Sequence, residues 1–380
     1  MARKRIQKNL AYDDQKKLYY AYFDHGAAPD GSRLRRTKTY ADREAAVLAL
    51  AQFEAARLSG ALPVPSRMTV RDWLDYWLED VIRPNRAYTT YYCYWSMVKN
   101  HIGPGLGGIR LQALMPHQIQ QYYTRMLREG GLSPNSVHKH HILLHTALKL
   151  AYQQGVISAN PVDRVEPPKE RPARRLYYNP AQLKALFRAA EGTHLELIVK
   201  LAGYLGLRRS EICGLRWEHV DLERGLVSVR LARTTAGYRV VEKEPKTDSS
   251  ARVLGIGGLE DLTALLRETR RRQEERARQD GGYCDSGFVV TYGDGRPWHP
   301  NQVTREFGAF IRREGLPPIT VHGLRHTFAS VANSARVPML DIGKALGHKD
   351  VSITGRIYTH IFDQTYSEVL STVAACIRGA

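Results

Sequence analysis

Cysteine is scarce and scattered in this chain of 380 residues: Cys93, Cys213, Cys284 and Cys376 form no CxxC pair. That argues against a zinc site or a disulfide framework and predicts reduced, mostly structural thiols. Long apolar runs are missing too. No stretch approaches the length a membrane span needs, and the N-terminus, MARKRIQKNLAYDD, lacks the apolar core of a signal peptide. A cytoplasmic location without a membrane partner is therefore expected. Negative charge is also in short supply, with 38 Asp and Glu against 56 Lys and Arg and a formal net charge of +18. Such an excess favours a polyanionic partner, although charge alone does not separate a nucleic-acid binder from a merely basic protein. What is present is otherwise ordinary for a globular chain, 43% hydrophobic and 25% charged. The length supports two or three domains with cores of their own.

Three regions follow from the patterning. Residues 1–62 carry three segments of strand character, Arg5–Leu10, Leu18–Phe23 and Leu34–Tyr40, separated by turn signals at Asp13-Asp14 and Pro29-Asp30-Gly31. A helix capped by Asp42 follows, with Ala45, Leu48, Ala49, Phe53 and Leu58 as its apolar positions. The simplest assembly is a three-stranded sheet backed by one helix. Its strands carry Arg33, Arg35, Arg36 and Lys38. These read equally as a solvated edge that blocks aggregation or as a face for a DNA groove.

Pro63, Pro65 and Ser66 form a joint, and residues 66–165 read as a helical module. Val70, Trp73, Leu74, Trp77 and Val81 fall at helical spacing and are expected in the core. A second helix is expected to run through YTTYYCYWSMVKNHI and to stop at Gly103-Pro104-Gly105. Pro116 and Pro134 suit the first turns of two more helices, with Ser133 as a cap. The last of these carries His138, Lys139, His140, His141, His145 and Lys149. With no acidic or cysteine partner at ligand spacing, this cluster reads as a polar face, solvated or against DNA backbone, and no metal is assigned. The basic, proline-rich stretch EPPKERPARR follows as an extended linker, in which Lys169, Arg171, Arg174 and Arg175 can track phosphates. Residues 174–380, opened by an Asn179-Pro180 cap, read as mostly helical with strands between Leu226 and Leu254.

Chemistry concentrates in this last region. LGLRRSEICGL brings Arg208 and Glu211 three apart, on one face of a segment with helical character. VHGLRHTFAS repeats that spacing with His322 and Arg325, in a helix whose apolar side includes Leu324, Phe328 and Val331. Leu346-Gly347-His348 has the form of a helix end and turn that presents a histidine. GRIYTH supplies Tyr358, and Lys246 sits in the turn EPKTDSSAR between two strand runs. Singly, each has a bland explanation: a surface ion pair, a capping histidine, one tyrosine among 21. Together, two arginines, two histidines, a lysine and a hydroxyl nucleophile can bind a phosphodiester and attack it without a metal.

The order GLRxSE, KT, HGLRH, LGH and IYTH resembles the tyrosine recombinases, in particular the integrases of temperate phages and integrative conjugative elements, across essentially the whole chain. The resemblance implies a mainly helical fold with small sheets and three domains: an arm-type DNA-binding domain (1–62), a core-binding helical domain (66–165) and a catalytic domain (174–380). It implies that Arg208, Arg325 and His348 contact the scissile phosphate. His322 would handle protons near the nucleophile, Lys246 would protonate the departing 5′ oxygen, and Glu211 would orient the site. Tyr358 would form a 3′-phosphotyrosyl bond with no cofactor. Gly355, three before Tyr358, departs from the family's usual pattern and would loosen the tyrosine segment.

The implied partners are double-stranded DNA attachment sites of core and arm type, a homotetramer on DNA, an excisionase and a host DNA-bending protein. The apolar stripe Tyr366, Val369, Leu370, Val373 and Ile377 predicts a C-terminal amphipathic helix. It would dock on its own domain or, as the resemblance favours, on a neighbouring subunit. A type IB topoisomerase shares tyrosine chemistry and is the alternative enzyme. A DNA-binding regulator with a dead site is the alternative outside enzymes.

Overall fold

The computed structural model describes residues 3–27, 33–58, 66–171, 176–243 and 251–347. The chain divides into two compact units, Met1–Pro172 and Ala173–Ala380. It is mainly helical with small antiparallel sheets.

The first unit begins with four strands rather than three: β1 (Lys4–Gln7), β2 (Leu10–Asp13), β3 (Leu18–Ala27) and β4 (Arg33–Tyr40), antiparallel in the order β1-β2-β3-β4. The expected single strand Arg5–Leu10 is a hairpin instead, because Asn9 takes a left-handed backbone (φ 64°) and turns the chain. Helix α1 (Arg43–Leu58) starts at Asp42, whose carboxylate accepts the Ala45 N–H at 2.9 Å. Its Ala46, Leu50 and Phe53 bury against Leu10, Ala21 and Phe23, whereas Leu48 is 60% exposed.

The helical module comprises α2 (Val70–Tyr76), α3 (Arg83–Asn85), α4 (Tyr88–Met97), α5 (Gly103–Leu106), α6 (Pro116–Arg128) and α7 (Pro134–Gln153). Trp73 and Trp77 are core, as expected, and the Trp73 indole N–H donates to the Ala147 carbonyl at 2.9 Å. The helix of α4 does not stop at Gly103. A π-turn over Val98–Ile102 leads directly into α5. The two glycines serve close packing there: a Cβ on Gly103 would lie 2.1 Å from Arg71 Nη2, and one on Gly105 2.6 Å from the Tyr122 ring. A second π-turn, Trp77–Ile82, joins α2 to α3. Pro116 and Pro134 occupy first turns, and Ser133 Oγ caps α7 by accepting the Ser136 N–H at 3.2 Å.

The second unit comprises α8 (Pro180–Ala190), α9 (Glu196–Leu205), α10 (Arg209–Gly214), strands β5 (Val220–Asp221), β6 (Leu226–Val229), β7 (Ala232–Ala236), β8 (Arg239–Lys243) and β9 (Arg252–Gly255), then α11 (Glu260–Gln279), α12 (Pro300–Arg313), α13 (Val321–Ser334) and α14 (Met339–Leu346). Strands β5, β6 and β9 form one antiparallel sheet, and β7 with β8 forms a hairpin. Asn179 caps α8 as expected, accepting the Gln182 N–H at 2.9 Å. Helix α9 is the spine of this core. Leu197, Ile198, Val199, Leu201, Ala202 and Leu205 are all buried, which is why its sequence, ELIVKLAGYL, is apolar almost all round.

Of the cysteines, Cys213 is buried, while Cys93 and Cys284 are exposed rather than structural. Burial pushes the Cys213 thiol up to about 12, so it stays protonated near neutrality. Among the described residues no helix is long and apolar enough to cross a membrane.

Candidate active site

Three chain segments converge on one buried arginine. Helix α9 ends where Gly206 takes a left-handed conformation (φ 59°), and Leu207 then leads to Arg208. Helix α13 is capped by Thr320, whose hydroxyl accepts the Gly323 N–H at 3.0 Å, and it carries His322 and Arg325. Helix α14 ends at Leu346 with Gly347 left-handed (φ 66°), the helix end and turn expected before His348. The Arg325 guanidinium, 2% exposed, joins all three. Its Nη1 donates to the Gly206 carbonyl at 2.8 Å and its Nη2 to the Leu346 carbonyl at 2.6 Å. Each acceptor is a carbonyl at a helix C-terminus, where the local potential favours a cation.

Arg208 and Glu211 meet, but not as two residues on one helical face. Arg208 is extended (φ −68°, ψ 149°) at the N-cap of α10, and Glu211 is the third residue of that helix. Glu211 Oε2 accepts the Arg208 backbone N–H at 2.9 Å, and its Oε1 accepts Arg208 Nη1 at 2.7 Å. The local geometry is therefore that of a helix cap whose carboxylate reaches back to the residue before the helix. A residue not singled out from the sequence completes the group. Arg252, at the start of β9, donates Nη1 to Glu211 Oε1 at 3.2 Å and Nη2 to Oε2 at 2.9 Å. Its Nε donates to the Ala345 carbonyl at 2.6 Å. Burial pushes the Glu211 carboxyl up. The Arg252 hydrogen bonds and charge, with the charge and backbone N–H of Arg208, more than reverse this and hold it at about 2. The only advance signal for Arg252 was a charged residue opening an otherwise apolar strand run, RVLGI.

His322 is exposed, and its ring meets that of His326 edge-on at 4.9 Å. Lys246, His348 and Tyr358 lie outside the described residues, as do Gly355 and the C-terminal stripe from Tyr366 to Ile377. The structure thus brings Arg208, Glu211 and Arg325 together beside the end of α14.

The residues expected to meet DNA are dispersed. On β4, Arg35 pairs across from Asp24 and Arg36 from Phe23, so the pleat sends Arg33 and Arg35 to the open face of the sheet and Arg36 and Lys38 to the α1 side. Arg33 is tied to Asp24 at 2.6 Å, and Arg35 lies over the Tyr22 ring at 4.4 Å. Arg3 lies over Tyr20 at 3.7 Å, so this face alternates guanidinium and phenol. In α7 Lys139 is exposed, but His140 belongs to the core at 2% exposure, bonded through Nδ1 to the Tyr122 hydroxyl at 2.9 Å. Burial and the nearby His101 bring His140 down to about 4, so it is neutral. His141 pairs with the Tyr123 hydroxyl at 3.2 Å. The expected polar face of α7 is therefore partly a packing face. Lys169 and Arg171 are exposed in the linker, where the Asn135 amide clasps the Arg171 backbone with two bonds of 2.8 Å. Arg174 and Arg175 lie outside the described residues.

Residues 177–365 match the phage integrase family, and residues 69–127 match the phage integrase N-terminal SAM-like domain. The chain is 26% identical over 326 residues to a XerC-like tyrosine recombinase of Caldanaerobacter subterraneus, covering 80% of this chain and 83% of that one. It is 25% identical over 366 residues to an integrase of Streptomyces ambofaciens, covering 94% and 92%. Among solved structures it is similar to the Tn1549 transposon integrase in complex with transposon right end DNA, with TM-score 0.64, 23% identity and coverage of 77% of this chain and 95% of that one. A lambda integrase dimer bound to a COC′ core site aligns with TM-score 0.59 and 19% identity over 94% and 96% of the two chains. The chain belongs to the phage integrase family of tyrosine recombinases, enzymes that cleave and rejoin DNA strands in site-specific recombination.

Proposed function

We propose that this recombinase integrates and excises a prophage or conjugative element, using Tyr358 as nucleophile and Arg208, Lys246, His322, Arg325 and His348 as the groups around the scissile phosphate. The observation that carries the reading is the seat of Arg325 between the carbonyls of Gly206 and Leu346. A fixed, desolvated guanidinium beside the Arg208 segment is the kind of preorganised cation that stabilises charge spreading over non-bridging oxygens.

In the proposed step the Tyr358 oxygen attacks phosphorus as the bond to the 5′ oxygen breaks. The phenolic proton passes towards His322, and Lys246 gives a proton to the departing 5′ oxygen. The 3′-phosphotyrosyl bond keeps the phosphodiester's energy, and the reverse attack by a 5′ hydroxyl rejoins the strand. Glu211 serves the site by holding Arg208.

We further assign three domains: residues 1–62 to arm-type sites, 66–165 to the core site and 174–380 to catalysis. Two separate apolar clusters in the first unit, one under the sheet and one among α2–α7, support the first boundary. On the open face of the sheet, Arg33 and Arg35 are offered to arm DNA. Lys139, Lys169, Arg171, Arg174 and Arg175 are offered to core-site backbone, with Arg36 and Lys38 peripheral. Strand exchange would run in a homotetramer, aided by an excisionase and a host bending protein. Similarity to a lambda integrase tetramer bound to a Holliday junction supports the assembly (TM-score 0.59). A topoisomerase reading is not favoured, because the relatives reported above are recombinases and integrases.

The test is a suicide duplex, nicked beside the cleavage position and built on the repeat that flanks the coding gene. Peptide mapping of the trapped adduct should place DNA on Tyr358, and Tyr358→Phe should bind the duplex without forming an adduct. An adduct on another residue, or none under conditions that support recombination, overturns the assignment.

A further inference from the structure

Arg252 is buried at 9% exposure, and every nitrogen of its guanidinium has a named acceptor. Two bonds form a fork on the Glu211 carboxylate. The third reaches the Ala345 carbonyl, in the last turn of α14. Arg252 also packs on the turn that follows, since a Cβ on Gly347 would lie 2.9 Å from its Nη1. The three nitrogens are thus spent on protein acceptors, the carboxylate that holds Arg208 and the carbonyl of Ala345 at the end of α14.

We propose that Arg252 is a positioning residue for strand cleavage, which locks the Arg208–Glu211 cap to the end of α14 and neutralises Glu211 so that Arg208 keeps its charge for the phosphate. This rests on the assignment of Arg208 to the scissile phosphate made above.

Charge counting supports the second half of the proposal. Arg208, Arg252 and Arg325 against Glu211 leave two net positive charges in the cluster, about what a phosphoryl group in transfer requires. Without Arg252 one charge remains, and the carboxylate has Arg208 as its sole cation among the contacts described above. Arg208 is then bound inward rather than presented. Geometry supports the first half. A planar fork can satisfy a carboxylate and, through its third nitrogen, a carbonyl on the opposite side, whereas an ammonium on a flexible stem cannot hold both in fixed directions.

The experiment compares the full-length wild type with Arg252→Lys and Arg252→Met on the nicked duplex, measuring adduct formation in single turnover, duplex affinity and thermal unfolding. Arg252→Met should form adduct about 100-fold more slowly, the scale of a small misplacement of a reacting geometry, with affinity for the duplex within about threefold since no phosphate contact is lost. Arg252→Lys, which keeps the charge but not the fork, should fall between and keeps the test open if the methionine variant folds poorly. Arg252→Met should also acquire a further loss of rate on acidification, beyond the one it shares with the wild type through His322, because Glu211 loses the hydrogen bonds that hold it at about 2 and, once protonated, no longer holds Arg208. A purely structural role would lower the melting temperature without that acid limb. Wild-type rates in both variants, or losses that track only the folded fraction with no further acid limb, overturn the proposal while the Tyr358 adduct of the wild type stands. A wild type that forms no Tyr358 adduct overturns both readings together.

Discussion

Gly206 is the residue at which backbone conformation, packing and the placement of Arg325 can be perturbed by one methyl group. Its φ of 59° lies in the left-handed region, where alanine costs ~1–2 kcal/mol. The new Cβ would stand 2.8 Å from Leu346 Cδ2 and 3.0 Å from Phe328 Cδ1, inside normal contact on two sides. Overpacking of this kind costs a further ~1–3 kcal/mol. The combined loss, roughly 3 kcal/mol, should lower the melting temperature of the second unit by about 6–12 °C. Gly315 provides the control. It has a similar φ of 63°, but a Cβ added there would meet nothing within 4 Å, so Gly315→Ala should show only the backbone part. The difference between the two variants in thermal unfolding therefore isolates the contact with Leu346 and Phe328. The second readout is cleavage at a temperature where both are folded. The Gly206 carbonyl is an acceptor for Arg325, so Gly206→Ala should form adduct roughly 10- to 100-fold more slowly per folded molecule, and Gly315→Ala at the wild-type rate. If Gly206→Ala is no less stable than Gly315→Ala, the packing argument is wrong. If it is less stable but cleaves normally, the carbonyl does not position Arg325.

Protonation of His140 should weaken the helical module. Its folded value of about 4 lies below the ordinary 6.5, so stability is intact above pH 6.5 and falls as the pH drops towards 4, by up to ~3 kcal/mol; denaturant titrations of wild type and His140→Gln across that range should converge at the acid end. Trp73→Phe removes the indole donor to the Ala147 carbonyl and should cost about 1–3 kcal/mol in chemical unfolding, with the acceptor left buried. On the sheet, Arg35→Ala should weaken binding to arm-type DNA and reduce the slope of affinity against salt by about 1. Arg36→Ala, on the α1 side, should leave the slope nearly unchanged, and equal effects would refute the assignment of the open face.

What could be read from the sequence was local or chemically unusual. Ser133, Asn179 and Asp42 announced helix starts because a cap depends on the residue itself and on the backbone within three positions of it. The motif segments around Arg208, Arg325 and Gly347 were legible for the same reason, and the fold brings them together. What was not legible depends on distant partners. Gly103 and Gly105 looked like a stop, yet the helical run continues through them, and they are small because Arg71 and Tyr122 occupy the space a side chain would fill. His140 looked like one of a polar row until Tyr122 was found against it. The turn at Asn9 was missed because a left-handed asparagine leaves no mark in the apolar pattern of its strands. Arg252 was overlooked because its partners, Glu211 and Ala345, lie 41 and 93 residues away in the chain.

The two π-turns have a consequence for how this helical module can vary in length. In each, the closing N–H reaches five residues back, Arg83 to Leu78 and Gly103 to Val98, so each stores one residue more than an α-helical turn would. Removing a single residue from Trp77–Ile82 or Val98–Ile102 would tighten the turn without rotating the downstream helix out of phase. The same deletion inside α7 would swing every later side chain by about 100°. Descendants and cousins of this chain should therefore lose a single residue more readily at these two places than inside the α-helical turns of the same module.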